Sequence, residues 1–443
     1  MKRTNSILGL IAALSFVAAF PGSARAGEAP TAIGPDVTVI YISTTTSKFG
    51  PVGDVYAYSI GTTSCNVGGA EVAWCDSPGG CNGVLEFNDH PVIAQNLYRL
   101  KDDRFEQIGM SWLKHGFVST NSFDTNCRDA SNNTCQVPPF LGNQLGMGCT
   151  DTYSSSLNAG GGSTCAGGVN CRLGPRSEVN AVSGEYPMPY ANEPHPQSID
   201  QRIQVVDADI DPALNAGALY WAEGQYVTAD DAVAERGLNN ASYRAATFDA
   251  SRNLIMSGAS SSTVREKSAV YAWRVADAAV EIKNVDLPSA PVERFEVGRR
   301  VTSVDVDTWH HEYVIRNMNS DRSARAFSIN FPDGTSLTNV GFKDIEHHSG
   351  EPYATTDWTS AVDIPTATIS WSTETFVTNP NANALRWATM FNFWFDADQP
   401  SGAAPHTITF FKPGSPASVT FVIDLFSDGF ESGGTTRWSE TVF

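Results

Sequence analysis

Carboxylates, histidines and cysteines carry most of the chemistry available to this chain, and their spacing decides which kinds are open to it. Asp207-Ala-Asp209-Ile-Asp211 places three carboxylates two residues apart. On a strand, alternate residues share a face, so the run predicts a row of oxygens opposite Val206, Ala208 and Ile210 that suits calcium. It is no EF-hand, because Pro212 and Ala218 stand where that loop requires Gly and Glu. The same row also reads as the charged face of an edge strand, where charge deters aggregation. His90 and His115 would meet across a sheet near Met110, giving soft and imidazole ligands of copper type. His115 reads equally as a turn residue after a buried Trp112, since no ligand spacing surrounds it.

Other constellations fail on geometry. Neighbours on a strand point to opposite faces, so the pairs His310-His311 and His347-His348 do not chelate. His311-Glu312 is followed by Ile315 where a zinc helix needs its second histidine. Ser111, in Gly109-Met-Ser-Trp-Leu113, lacks the second glycine of a nucleophile elbow. The run Gly146-Met-Gly148-Cys-Thr-Asp151 breaks the phosphate-loop pattern at its sixth position. Trp309, Trp358, Trp371, Trp387 and Trp394 would suit sugar stacking if exposed in a row. Their place amid strand alternation reads more simply as sandwich core.

The N-terminus says where these groups work. Lys2 and Arg3 precede an apolar run from Ile7 to Phe20 and then Ala24-Arg25-Ala26, the pattern of a secretory leader over residues 1–26. The run is too short to span a membrane and ends at Pro21-Gly22, so the expectation is a secreted or periplasmic protein without stable membrane insertion. Gly27 as first mature residue rejects a histidine-brace oxygenase, whose N-terminal residue must be His. Losing Lys2, Arg3 and Arg25 with the leader moves the formal net charge from −19 by three bases to −22. Such a surface repels phosphate backbones and excludes nucleic acid as a partner.

All eight cysteines fall between Cys65 and Cys171. An even number in an exported chain reads as disulfides, and no C-x-x-C supports a redox or zinc site. Short loops suggest Cys75–Cys81 and Cys165–Cys171. Cys65, Cys127, Cys135 and Cys149 then form the other two bridges, with their pairing open. From Ser119 to Asn192 the chain is Gly, Ser, Asn and Pro with few apolar positions. Packing alone would not offset the entropy of ordering it, so cross-links must restrict it.

The elements around this region are strands. Asp36–Ser43 and Asp54–Ile60 alternate, Val92–Leu100 and Arg104–Met110 make a hairpin, and Gln201–Ile210 and Ala218–Thr228 continue the pattern. Thr228-Ala-Asp-Asp231 loosely fits a capping box for a helix of about two turns ending at Gly237. Ser268–Ile282 reads as one or two strands. Beyond Pro288-Ser-Ala-Pro291, strands recur every ten or so residues to Leu425. The fold expected is all-β: two antiparallel sandwich-like domains, 27–287 with a Cys-rich insertion at 65–171, and 288–425, followed by a tail at 426–443.

The runs Gln107-Ile-Gly-Met-Ser-Trp-Leu-Lys-His-Gly-Phe117, Leu173-Gly-Pro-Arg-Ser-Glu-Val-Asn180, Glu223-Gly-Gln-Tyr-Val-Thr228 and Asn383-Ala-Leu-Arg-Trp387 resemble a family of exported bacterial β-rich proteins of unknown function. The ending Asp428-Gly-Phe-Glu-Ser-Gly-Gly-Thr-Thr-Arg-Trp-Ser439 is similar to a short tail common on exported proteobacterial proteins. The resemblance implies export and no activity. The sequence therefore points first to a non-enzymatic structural protein or a binder of a cell surface or extracellular glycan. The alternative is a secreted metal-dependent hydrolase or oxidase at His90/His115 or Asp207/Asp209/Asp211, with calcium as the candidate cofactor.

Overall fold

Among the described residues, apolar alternation in the first half builds two large sheets beside a two-stranded one (Val72–Ala73 with Gln144–Leu145), and the second half builds two more. The computed structural model describes residues 34–74, 90–116, 118–128, 134–139, 142–161, 173–187, 190–191, 196–400 and 404–423. Residues 1–26 and 426–443, read above as leader and tail, and Cys75, Cys81, Cys165 and Cys171 lie outside them. The first sheet joins Val37–Val52 to Val55–Asn66, then to Cys149–Tyr153 and Ser122–Phe123, with Ile203–Val206 also on Val55–Asn66. The second is seven-stranded and centred on the antiparallel pair Val92–Lys101 and Leu219–Val227. Val39, Ile42, Ile60, Ile93, Leu97 and Val205 fill the space between these sheets.

The second half is a sandwich of two five-stranded antiparallel sheets. One runs Glu281–Asp286, Arg294–Ser303, Trp309–Asn317, Thr389–Ala397, Leu337–Lys343. The other runs Thr359–Asp363, Thr368–Ser372, Ala324–Asn330, Pro405–Phe410, Ser418–Val422. Phe295, Phe327, Trp371, Phe391, Phe393 and Phe395 fill its core. The chain is thus all-β, and its helices are short. Glu281–Asp286 pairs with Arg294–Ser303, so the change of sandwich falls before this strand, ahead of the boundary read at 287. Ser268–Ile282 is no strand at its start. Val270–Ala276 is helical, which lets Val270 and Trp273 share one buried face at a spacing of three.

The hairpin forms with Lys101 opposite Arg104. Its two loop residues, Asp102 and Asp103, take φ of 49° and 68°. Two left-handed residues in a two-residue loop match the twist of the strands they join.

The sandwiches are stacked face to face, and this explains a pattern that alternation does not. An antiparallel strand with one wet face exposes every second residue. Val92–Ile93 through Arg99 are all buried, as is all of Leu219–Val227 but its first residue. Their second face meets the Trp309–Asn317 and Thr389–Ala397 strands across Tyr98, Phe105, Trp221, Trp273, Val314 and Met390. The described residues accordingly gather into one compact unit.

Half of this inner seam is polar. Arg316, 0% exposed, donates to Glu223 Oε1 at 2.9 Å, Gln225 Oε1 at 2.6 Å and Glu296 Oε2 at 3.1 Å. Glu223 also accepts from Asn96, the Tyr98 hydroxyl and the Ala269 amide. Burial disfavours the Arg316 cation, but Glu223, Tyr98 and Glu296 outweigh it and hold the group above its usual range. Arg176 reaches the Ala388 carbonyl at 3.0 Å from one sandwich and the Gln95 and Ser111 carbonyls at 2.9 and 2.6 Å from the other. Burial lowers its pKa to about 10 against the pull of Glu351. Buried charges persist only when paired and hydrogen-bonded, and here the pairing crosses the seam.

Among the described residues two disulfides are formed, Cys65–Cys127 and Cys135–Cys149. They settle the pairing the sequence left open. No helix among the described residues is long and apolar enough to cross a membrane.

Candidate functional site

His90 and His115 do meet. Leu113–His115 pairs with Val92–Lys101, His115 opposite Val92, and His90 Nε2 lies 2.8 Å from His115 Nδ1. Both rings are 1% exposed. Tyr190 stacks on His115 at 3.6 Å, and the Tyr186 hydroxyl donates to the His90 carbonyl. Gly174 lies so close that a Cβ there would fall 2.5 Å from His115 Nε2. Burial, then His90 and Lys114, push His115 well below the usual imidazole pKa. The two imidazoles, joined by one hydrogen bond inside an aromatic box, tie strand ends together.

The Asp207 run is not a strand. Asp207–Ile210 forms a single helical turn, so Asp207 and Asp211, four apart, share one side. Arg252 binds both, at 2.5 and 2.7 Å, while Arg99 takes Asp209 at 3.0 Å. The three carboxylates are spent on two guanidinium groups that anchor this turn. Among the described residues no group of three or more His, Cys, Asp or Glu side chains gathers as a metal cage.

The histidine pair 310–311 splits between faces as strand geometry requires. His311 is 0% exposed and stacks on Phe395 at 4.7 Å, and burial pushes its pKa to about 4. His310 faces outward between Asp396 at 2.6 Å and Glu312 at 3.2 Å. Arg104 reaches the same Glu312 at 2.7 Å and lies 3.6 Å over the Trp394 ring. That ring covers Gly341, where any Cβ would strike it. Trp358, Trp371 and Trp387 are buried, so the tryptophans serve packing and form no exposed row.

Glu312 raises the pKa of His310 above the usual 6.5, burial opposes this, and Asp396 adds to the rise. A raised folded pKa lends stability that is fully present below the unfolded value and lost as pH rises through the folded one. The expected result is a His310 proton-NMR titration midpoint above 6.5, while His311 titrates far below. His310→Gln should flatten the decline in urea midpoint on the alkaline side of about pH 6.5. A His310 midpoint at or below 6.5 would remove the ion pair from the account.

Chemistry remains in a cleft at the far end of the second sandwich. Its volume is about 200 Å³, and Arg322, Arg325, Phe376, Thr409, Phe411 and Lys412 are among its walls. Ala324–Asn330 pairs with Pro405–Phe410, but the register slips between Ala324 and Ala326. The extra residue is Arg325, and a bulge of this kind re-aims the side chain it carries. Ser323, at φ 54°, prepares the bend. Arg322 lies 4.4 Å over the Phe410 ring and donates to the Pro416 carbonyl at 2.6 Å. Its Nε is buried with no acceptor. Lys412 is already paired with Asp321 at 2.7 Å. Among the described residues neither Arg322 nor Arg325 has a carboxylate partner.

Reasoning from residue types passed over this cleft because Asn319-Ser-Asp-Arg-Ser-Ala-Arg325 matches no motif. The available signal was scarcity: two arginines three residues apart, in a chain with 29 bases against 48 acids.

No family model matches the chain, and no curated protein matches it. Among solved structures it is similar to the serine-rich repeat adhesion glycoprotein Srr1 from Streptococcus agalactiae, at 8% identity and a TM-score of 0.20, covering 88% of this chain and 97% of that one. It is also similar to the exo-chitosanase CsxA of Amycolatopsis orientalis, at 8% identity and a TM-score of 0.17, covering 82% of this chain. It spans only 25% of that enzyme's length. Similarity this slight carries no argument about what this chain does.

Proposed function

We propose that the protein is a non-enzymatic extracellular binding protein that holds an acidic saccharide in the Arg322–Arg325 cleft. The observation that carries this is a pair of guanidinium groups with no carboxylate partner among the described residues, lining a cavity in a strongly acidic chain. Arginine presents a planar fork that matches carboxylate or sulfate oxygens. Phe376, Phe410 and Phe411 supply apolar walls for the C–H face of a sugar ring, and Thr375 and Thr409 supply hydroxyls. The cleft is smaller than the roughly 300–1,000 Å³ of pockets for larger ligands, so it suits one terminal ring rather than a buried chain.

Calorimetry with uronic-acid and neutral oligosaccharides tests this. The acidic sugars should bind and the neutral ones should not. Arg325→Ala should weaken binding by about tenfold or more, as loss of a charged hydrogen bond requires. Equal binding of neutral sugars, or an Arg325→Ala protein that binds like wild type, would rule the reading out.

A further inference from the structure

A second polar cluster lies beside the helix Ala229–Val233. Thr228 caps this helix by accepting the Asp231 amide at 3.1 Å. A glutamate at 231 would reach back to the cap residue. The shorter Asp231 side chain is instead 0% exposed, and Asn240 Nδ2 donates to its Oδ2. Next to it, Asn239 Nδ2 donates to Asp36 Oδ1 at 2.9 Å. Burial first, and then the charge of Asp36, push the Asp231 carboxyl well above its usual range. Hydrogen bonds from Asn240 and the Val37 backbone amide oppose this, and the Arg236 cation adds a smaller pull. Asp230 stands apart, taken up by the Ala73 amide at 2.8 Å.

What is left over in this cluster is all of one kind. Oδ1 of Asp231, Oδ1 of Asn239 and Oδ1 of Asn240 are each buried with no donor. Asn240 is itself only 2% exposed. Each amide nitrogen is held on a carboxylate oxygen, which leaves the amide oxygen as the end without a donor. Buried polar atoms are almost always satisfied, and a cation is the partner that answers several such lone pairs at once. Carboxylate and amide oxygens are hard ligands, suited to calcium rather than to zinc or copper. A cavity of about 20 Å³ abuts Asn240, Thr228 and Glu235, room for one water molecule in the ion's shell.

We infer that Asp231, Asn239 and Asn240, together with Asp36, form a calcium site that ties the end of the helical turn to the start of the first strand. It is separate from Asp207, Asp209 and Asp211, whose charges Arg252 and Arg99 already meet, and it does not depend on the cleft.

The test is thermal unfolding of the full-length protein in EGTA and in millimolar calcium, the range in which extracellular modules take up the ion, with a calorimetric isotherm of calcium alone. Calcium should raise the unfolding midpoint, bind as a single ion per chain, and act more strongly than magnesium. Asp231→Asn and Asn240→Ala should lose the response, and Asp207→Ala should keep it. An identical wild-type midpoint in EGTA and calcium, with a flat isotherm, overturns the site whether or not the variants fold. A calcium response that survives in both site variants overturns it as well.

Discussion

Arg316→Met should cost about 3–5 kcal/mol of folding stability, the range for removing one partner of a buried ion pair. The methionine fills much of the volume, so the loss is electrostatic. Glu223 and Glu296 would stay in the seam facing each other without their cation, and Gln225 Oε1 would lose its donor. Making the partner neutral as well, with Glu223→Gln, should recover part of the loss, because a seam without charge needs no counter-charge. Urea denaturation of the two variants and wild type measures both steps. A single-variant loss below about 1 kcal/mol, the scale of an exposed pair, would mean that water reaches the seam.

Removing Cys65–Cys127 should destabilise the fold more than removing Cys135–Cys149. The bridges join residues 62 and 14 apart. If they act by restricting the unfolded chain, the loop lengths give about 4 and about 3 kcal/mol. The order matters more than the values. The longer loop takes in the Val92–Lys101 and Arg104–Met110 hairpin, and its bridge is buried beside Ile40. Paired alanine variants of each bridge, unfolded in guanidinium without reductant, read the difference. If the shorter loop proves the more costly to open, local packing governs these bridges and loop entropy does not.

How far the residues foretold the molecule differs from level to level. Strands, the hairpin at Asp102-Asp103 and the four bridge-forming cysteines in view were legible, because each is governed by neighbours in sequence. Even the meeting of His90 with His115 followed from their places beside paired strands. The Asp207 run went wrong for a tertiary reason. Its period-two spacing suits a strand, but Arg252, 45 positions downstream from Asp207, makes a helical turn the better arrangement. The stacking of the two sandwiches was hidden for the same kind of reason. Glu223, Gln225 and Asn96 look like residues of a wet face, and only Arg316 and Arg176 from distant segments make that face dry. The cleft depends on a slipped register at Arg325, and a register slip is set by the partner strand.

The polar seam also decides what can be cut from this chain. Excision at Pro288-Ser-Ala-Pro291 would look natural, since a proline-rich connector there separates one set of strands from the next. Yet a fragment beginning at the connector would lack Glu281–Asp286, which its sheet needs as an edge. It would also bare Val314 and Met390 and release Arg316 from Glu223 into water, while the other fragment kept Glu223 buried against nothing. Neither sandwich is an exchangeable module, so a binding end grafted elsewhere would have to carry the whole stack with it.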